Sequence, residues 1–523
     1  MSIFRKEKRT IYGRKIKGLW EEFRRNKIGF VGLILLFIYV AVAFLAPYIA
    51  PYAIANPPRI GTRYAMPQWV TIFPQYKDLP PTMRIELNWA LAEEYEHAQI
   101  EYGEKIVVTY RNLGSLEPEQ IVLKVDFDYD FVPPREFQFR FRFKGKFENL
   151  TYLTEFWIRR NIDGEEWEPM GTKFDIFTMS LIDNPDLTDI TSFEKTATSG
   201  SPDMRLIMFY KDLLEKYKAE GMRTYTAKTK AYTDSQMLEP GSIVFATKGS
   251  YSLLLKLDIT PKTEDAKLEL SFEKYQIPYS PDKSQRFGEF TIPGSVTGIL
   301  GTNSYGQDVT TELLYGARIS LMVGLLAAVI STSLGILFGV ISGYLGGVVD
   351  ELTMRIVDVL LCLPVLPLIL TLIHYFQPNV YYIVVIIAIF GWQGLSRVIR
   401  SRVLSLREMP FIESAKAAGA SDSYIIIRHL VPNVFPVAMA SMILAVPAAI
   451  LTEAALSFLG FGDPMVPTWG KMLHEAYTEG AFGAIAWWYI LPPGLAITFI
   501  CLAFVFIGHA LDEIVNPRLR RRR

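Results

Sequence analysis

Residues 28–50 read IGFVGLILLFIYVAVAFLAPYIA, a run with no charged side chain. A helix needs about 20 such residues to cross a bilayer, because lipid offers no partner to an unpaired backbone group. The run is too long for a secretion signal, and its exit lacks a small-residue cleavage site, so it reads as a retained span. It is also the key to the rest of the chain. The hydrophobic share of 50% and the mean hydropathy of +0.20 average two unlike parts. Apolar residues crowd into this run and into the last 200 or so positions, while the middle reads as soluble protein.

Five further apolar stretches predict spans at about 316–346, 352–374, 380–398, 434–460 and 486–510. Orientation follows from Lys and Arg in the short flanks. Residues 1–27 hold ten Lys/Arg against three Glu, 397–432 hold six, and 518–523 hold five. Residues 375–382 hold none, and 461–485 hold only Lys471. Six spans with both termini cytoplasmic fit these counts and place residues 51–298 outside the cytoplasm. The expected division is a basic cytoplasmic segment 1–27, a first span 28–50, an extracytoplasmic domain 51–298, a membrane core 299–511 and a basic tail 512–523. Net charge of zero excludes the basic folded patch that a nucleic-acid binder needs. Cys362 and Cys501 both lie in apolar stretches, so the middle region has no disulfide and the chain has no CxxC metal site.

In the middle region Phe137, Phe139, Phe141 and Phe143 alternate with Gln138, Arg140 and Arg142, the period of a strand. Leu268, Leu270 and Phe272 alternate likewise, and 252–260 is a third strand candidate. Leu206, Ile207, Tyr210, Leu213, Leu214 and Tyr217 fall on one helical face that ends at Gly221. The prediction is a β-rich α+β domain without a catalytic constellation.

The stretch between the fourth and fifth spans carries the function. Phe411-Ile412-Glu413-Ser414-Ala415-Lys416-Ala417-Ala418-Gly419 runs on to Arg428-His429-Leu430-Val431-Pro432. A helix is expected over 411–418, with small Ser414, Ala415, Ala417 and Ala418 giving a smooth surface. Gly419 can adopt positive φ and stop it. A second short helix over 423–430 follows, and Pro432 opens the next element. A small-residue helix face on the cytoplasmic side suits docking into a groove of another protein.

This stretch resembles the EAA loop of ABC importer permeases, in which Gly follows Glu by six positions and Pro by nineteen. Glu413, Ala415, Gly419 and Pro432 fit, and Ser414 replaces the first Ala. The resemblance extends over about 299–523 and, more loosely, over 1–50. It is carried by Leu300-Gly301-Thr302-Asn303, by Tyr315 to Leu321, by Gly343-Tyr344-Leu345-Gly346-Gly347 with Asp350, by Met354-Arg355 with Asp358, and by Glu453 to Gly460 with Trp469-Gly470. These are similar to the dipeptide, oligopeptide and nickel branch. Departures are Asn303 and Gln307 where the branch has Asp and Arg, His509 and Asn516 where it has acids, and the long insertion.

The resemblance implies a mainly α-helical polytopic protein of six transmembrane helices with the type I importer permease fold. It implies a second permease chain, as a heterodimer, two ATPase subunits and an extracytoplasmic solute-binding protein. In the family the loop couples to the ATPase, which points to Glu413, Ser414, Ala415, Gly419 and Pro432. No GxxxxGK[ST] phosphate loop exists in the chain. The chain is therefore expected to be a transport subunit that binds no cofactor, with ATP and Mg on the partners. The implied cargo is a peptide, with an oligosaccharide or nickel as alternatives.

Charges and kinks inside spans mark further candidates. Glu453 is expected to pair with Arg318, or to meet substrate. Arg355 and Asp358, one turn apart, are expected to neutralise each other. Pro364 and Pro367 are expected to kink the third span on the pathway. An ion-coupled secondary transporter would instead show inverted repeats and paired midplane carboxylates. A membrane-anchored sensor or enzyme would leave the 411–432 loop unexplained.

Overall fold

Asn26 opens the first helix, α1 (Lys27–Ile49), by accepting the Gly29 N–H on its side chain at 3.0 Å. The computed structural model describes residues 23–55, 57–134, 137–161, 173–181, 189–198, 245, 248–276, 285–376 and 378–515. The helix predicted over 206–217, most of the basic segment 1–27 and the end of the tail lie outside the described residues. The chain divides into two compact units, one of 1–55 with 309–523 and one of 56–308.

The first unit is helical. It comprises α1, α2 (Val309–Leu345), α3 (Gly347–Cys362), α4 (Val365–Phe376), α5 (Val380–Ile389), α6 (Gln393–Arg407), α7 (Pro410–Ala417), α8 (Asp422–Ile425), a π-helical turn (Ile426–Leu430), α9 (Val431–Phe458), α10 (Trp469–Thr478) and α11 (Trp487–Val515). Among the described residues, four helices are long and apolar enough to cross a membrane. The count reaches six if two bent pairs each make one span. The pair α3 and α4 bends by 89°, and the pair α5 and α6 by 41°. The sharper bend falls at Leu363 and Pro364. Proline lacks the N–H a continuing helix needs, so the break sits where the sequence predicts it.

Close helix contact in the membrane is made by small residues, since lipid tails give no hydrophobic drive for helix association. Gly335, Gly339 and Gly343 form such a stripe on α2 and face α6. A Cβ at Gly339 would lie 2.7 Å from the Ser396 carbonyl, and one at Gly343 would lie 2.9 Å from the Arg400 carbonyl. Backbone cannot retreat as a flexible side chain can. Gly339→Leu should therefore destabilise the helical unit by about 1–3 kcal/mol, the usual cost of overpacking. Thermal melts of the detergent-solubilised chain should show it as a lowered midpoint.

The second unit is built on two large sheets packed face to face, with a separate two-stranded sheet beside them in sequence. The strands are β1 (Met83–Glu86), β2 (Ala90–Leu91), β3 (Ala98–Tyr102), β4 (Lys105–Arg111), β5 (Glu119–Tyr129), β6 (Gln138–Glu148), β7 (Leu150–Arg160), β8 (Lys173–Leu181), β9 (Asp189–Thr198), β10 (Gly249–Pro261), β11 (Lys267–Glu273), β12 (Tyr275–Gln276), β13 (Gln285–Arg286) and β14 (Gly288–Ile292). One sheet runs β1-β14-β6-β11-β4-β3, with β9 also on β6. The other runs β2-β5-β10-β7-β8. All named pairings are antiparallel, and Leu255 of β10 lies between Leu123 of β5 and Phe156 of β7.

The alternation read in the sequence is what fills this core. Phe137, Phe141, Phe143, Leu268, Leu270 and Phe272 are all buried, as are Leu253, Leu255 and Leu257. The rings of Phe141 and Phe156 meet across the two sheets at 5.1 Å between centroids. Core packing thus accounts for the aromatic strand, and no metal-binding cluster of His, Cys, Asp and Glu is found among the described residues.

At the end of β11, Glu273 accepts hydrogen bonds from Lys105 and from Lys144, the latter at 2.7 Å. These two ammonium groups hold its carboxyl at about 2, below its ordinary 4.5. A group whose folded value is depressed contributes stability above its unfolded value and loses it as pH falls. The β4–β11 pairing should therefore weaken between pH 4.5 and about 2. Hydrogen exchange of the full-length chain should show that slope, and Glu273→Gln should flatten it.

Candidate functional site

The segment 409–433 is built from local rules. Pro410 takes the first position of α7, where its missing N–H costs no intrahelical bond. At the other end the Gly419 N–H donates to the Lys416 carbonyl at 2.9 Å, and the Ala420 N–H donates to the Ala415 carbonyl at 3.0 Å. That double bond is a Schellman cap, and Gly419 sits at φ +78° as the cap requires. Ser421 then caps α8 by accepting the Tyr424 N–H at 3.4 Å.

The inner face of this hairpin is anchored. Ile412, Ile425 and Leu430 are fully buried and join Val340 and Tyr344 of α2 with Ile399, Val403 and Leu406 of α6. The outer face is open. Phe411, Glu413, Ser414, Ala417, Ala418, Gly419 and Tyr424 are exposed. Among the described residues, a Cβ at Gly419 would have no neighbour within 4 Å beyond the adjoining residues. The Ser414 hydroxyl is satisfied locally by the Pro410 carbonyl at 2.8 Å. The Glu413 carboxylate, in the first turn of α7, has no hydrogen bond or ion pair among the described residues. A carboxylate there is favoured by the helix dipole and remains free to accept donors from outside.

One detail differs from the expectation. The second short helix is not separate: residues Asp422–Phe458 form one apolar helical span. Pro432 stands in the first turn of α9, as expected, and the helical path runs through it without a break. The π-helical turn Ile426–Leu430 immediately before it is the physical reason, since an i→i+5 turn rearranges the backbone bonds where proline lacks an N–H.

The intramembrane charges also choose other partners than expected. Glu453 is 1% exposed and accepts a hydrogen bond from Ser457 at 2.7 Å, one turn along α9. Arg318 is exposed and makes no ion pair with it. Asp358 pairs with Arg397 of α6, not with Arg355, and Arg355 reaches Glu351 only at 4.0 Å. Asp350 holds a bidentate pair with Arg400 of α6. The sequence signal for these cross-helix pairs was the count of opposite charges on two neighbouring apolar segments. Proximity in sequence pointed to the wrong partner.

In the second unit, buried Asn303 and half-buried Gln307 bond to each other. The Asn303 amide donates to Gln307 Oε1 at 3.2 Å, and its carbonyl oxygen accepts the Tyr305 and Gln307 N–H groups at 2.9 and 3.0 Å. The two departures from the branch pattern are thus one neutral pair.

The family model described as binding-protein-dependent transport system inner membrane component matches residues 335–521. A second, the N-terminal TM domain of oligopeptide transport permease C, matches 16–81. The chain is 36% identical over 238 residues to the dipeptide transport system permease protein DppC of Bacillus subtilis, covering 45% of this chain and 74% of that protein. It is 40% identical over 224 residues to the oligopeptide transport system permease protein OppC of Escherichia coli K12, covering 42% and 72%. It is 40% identical over 225 residues to a probable peptide ABC transporter permease protein of Sinorhizobium fredii, covering 43% and 76%. Both family matches leave residues 82–334 unmatched, and every strand of the two sheets lies in that interval.

Proposed function

The chain belongs to the binding-protein-dependent transport system inner membrane components, as a permease subunit of an ABC importer, and on that premise we propose that it carries peptides. The permease relatives at 36–40% identity are named for dipeptides and oligopeptides, which favours that cargo over an oligosaccharide or nickel. The proposed arrangement is six spans with both termini cytoplasmic. The β-rich region 51–298 is an extracytoplasmic insertion, supported by the charge counts and by the position of its strands, all after residue 82, between the two family matches.

Glu413, Ser414, Ala415, Gly419 and Pro432 are proposed to couple the permease to separate ATPase subunits. The observation that carries this is a hairpin anchored on one face and open on the other, with an unpartnered carboxylate and a left-handed glycine at its exposed surface. The ATPases hold ATP and Mg, a second permease chain completes the pathway, and a solute-binding protein delivers the cargo. The working cycle is alternating access: ATP closes the ATPase pair, the hairpin moves with it, and the helices open outward. Such coupling requires the two states to differ in contacts at both faces. Arg318, Glu453 and Pro364 are proposed to shape the pathway or the contact between permeases.

A pull-down of the tagged full-length chain from solubilised membranes tests the assembly. A second permease and P-loop ATPases should accompany it. Purification alone, from cells that make the ATPases, would overturn the reading.

A further inference from the structure

Tyr344 stands at the cytoplasmic end of α2 and is 5% exposed. Its hydroxyl donates to Asp422 Oδ1 at 2.7 Å. Asp422 is the first residue of α8, and so of the continuous helix that runs on as α9. The Lys416 ammonium, in the last turn of α7, lies 5.2 Å from the centroid of the Tyr344 ring. The backbone carbonyl of the same residue accepts from Arg407 Nη1, at the end of α6, at 3.3 Å. One residue therefore touches both arms of the exposed hairpin and the end of the helix that precedes it.

We infer that Tyr344 is a positioning residue for transport, which passes movement of the hairpin into α2 and α9 through its hydrogen bond to Asp422. The inference rests on the coupling role proposed for that hairpin. The geometry supports transmission rather than support alone. The apolar anchor of the hairpin, Ile412 with Ile425 and Leu430, is non-directional and can slide. The Tyr344–Asp422 bond is directional, and weakens steeply once donor and acceptor misalign. It joins the C-terminal end of one candidate span to the N-terminal end of another. A shift of the hairpin that keeps this bond must move both helix ends together. The glycine stripe of α2 on α6 then carries the movement along the bundle.

The test uses the full permease–ATPase complex in proteoliposomes. Spin labels at Leu325 of α2 and Leu444 of α9, in a background with Cys362→Ser and Cys501→Ser, report the distance between the two helices with and without ATP and vanadate. Tyr344→Phe removes the hydroxyl and keeps the ring under Lys416. The variant should retain bound ATPases and hydrolyse ATP at close to the parent rate. Its ATP-driven change in the distance distribution should fall by about fivefold or more, the lower end of a two-site coupling. Asp422→Ala should match it, Asp422→Asn should behave as the parent because it keeps the acceptor oxygen, and the double variant Tyr344→Phe/Asp422→Ala should be no worse than either single one. A full ATP-driven change in Tyr344→Phe would overturn the inference. So would loss of assembly in both Tyr344→Phe and Asp422→Ala, which would make the bond a matter of folding. If the parent complex shows no ATP-driven change at all, the coupling reading itself fails, which is a separate outcome.

Discussion

Gly419→Trp should abolish uptake while leaving the chain inserted and folded. Two separate effects act at this position. Gly419 lies at φ +78°, and any other L-residue placed there is strained by about 1–2 kcal/mol. A strain of that size lowers the equilibrium constant for the native turn by about tenfold. Among the described residues nothing beyond its chain neighbours lies within 4 Å of a Cβ at this site, so the indole would project outward without disturbing Ile412, Ile425 or Leu430. It would instead occupy the surface on which an ATPase is proposed to sit. Gly419→Ala separates the two effects, since it carries the strain without the bulk. Alanine should therefore retain far more uptake than tryptophan, and asparagine, which tolerates the left-handed region, should retain more still. ATPase co-purification should survive in the alanine variant and vanish in the tryptophan variant, with equal yields of folded permease. Uptake retained by Gly419→Trp would remove the hairpin from the coupling path.

This turn shows what a sequence can and cannot say about such a protein. The glycine was legible because its signal is local: a run of small helix formers, then a residue free to adopt positive φ. The strands of the second unit were legible for the same reason, since Phe141 and Phe143 alternate with arginines and fill one core. The sharp break between α3 and α4 was legible from Pro364. Tertiary choices were not. Asp358 has Arg355 one turn away on its own helix, yet it pairs with Arg397, because α6 brings a guanidinium into reach and Arg355 points elsewhere. Glu453 found its donor four residues along its own helix, in Ser457, while the expected partner Arg318 stayed exposed. The continuous helix through Pro432 depends on a π turn, and no residue pattern announces one. Local chemistry is written in the sequence, whereas the choice of a charge partner is made when helices meet.

Those cross-helix pairs support the second large prediction. Asp350→Leu should destabilise the helical unit by about 1–3 kcal/mol, between the values for losing an exposed and a buried ion pair. The reason lies in how little else holds α3. Of its residues only Val357 is buried, while Val348, Leu352, Ile356 and Val359 are exposed on the isolated chain. Two charge pairs to α6 do the work instead. Asp350 receives Arg400 through both carboxylate oxygens and also accepts from Ser342, and Asp358 receives Arg397. Bidentate, charge-assisted bonds of this kind are the stronger class, and they fix orientation as well as distance. Removing Asp350 leaves the Arg400 guanidinium, two-thirds screened from solvent, without its counter-ion. The single variant should therefore melt earlier in detergent and expose the α3–α4 segment to protease. Asp350→Leu/Arg400→Met should recover most of the loss, because an apolar pair of similar volume carries no unpaired charge. If the double variant is as unstable as the single one, the pair's hydrogen-bonded geometry, rather than its charge balance, is what holds α3 against α6.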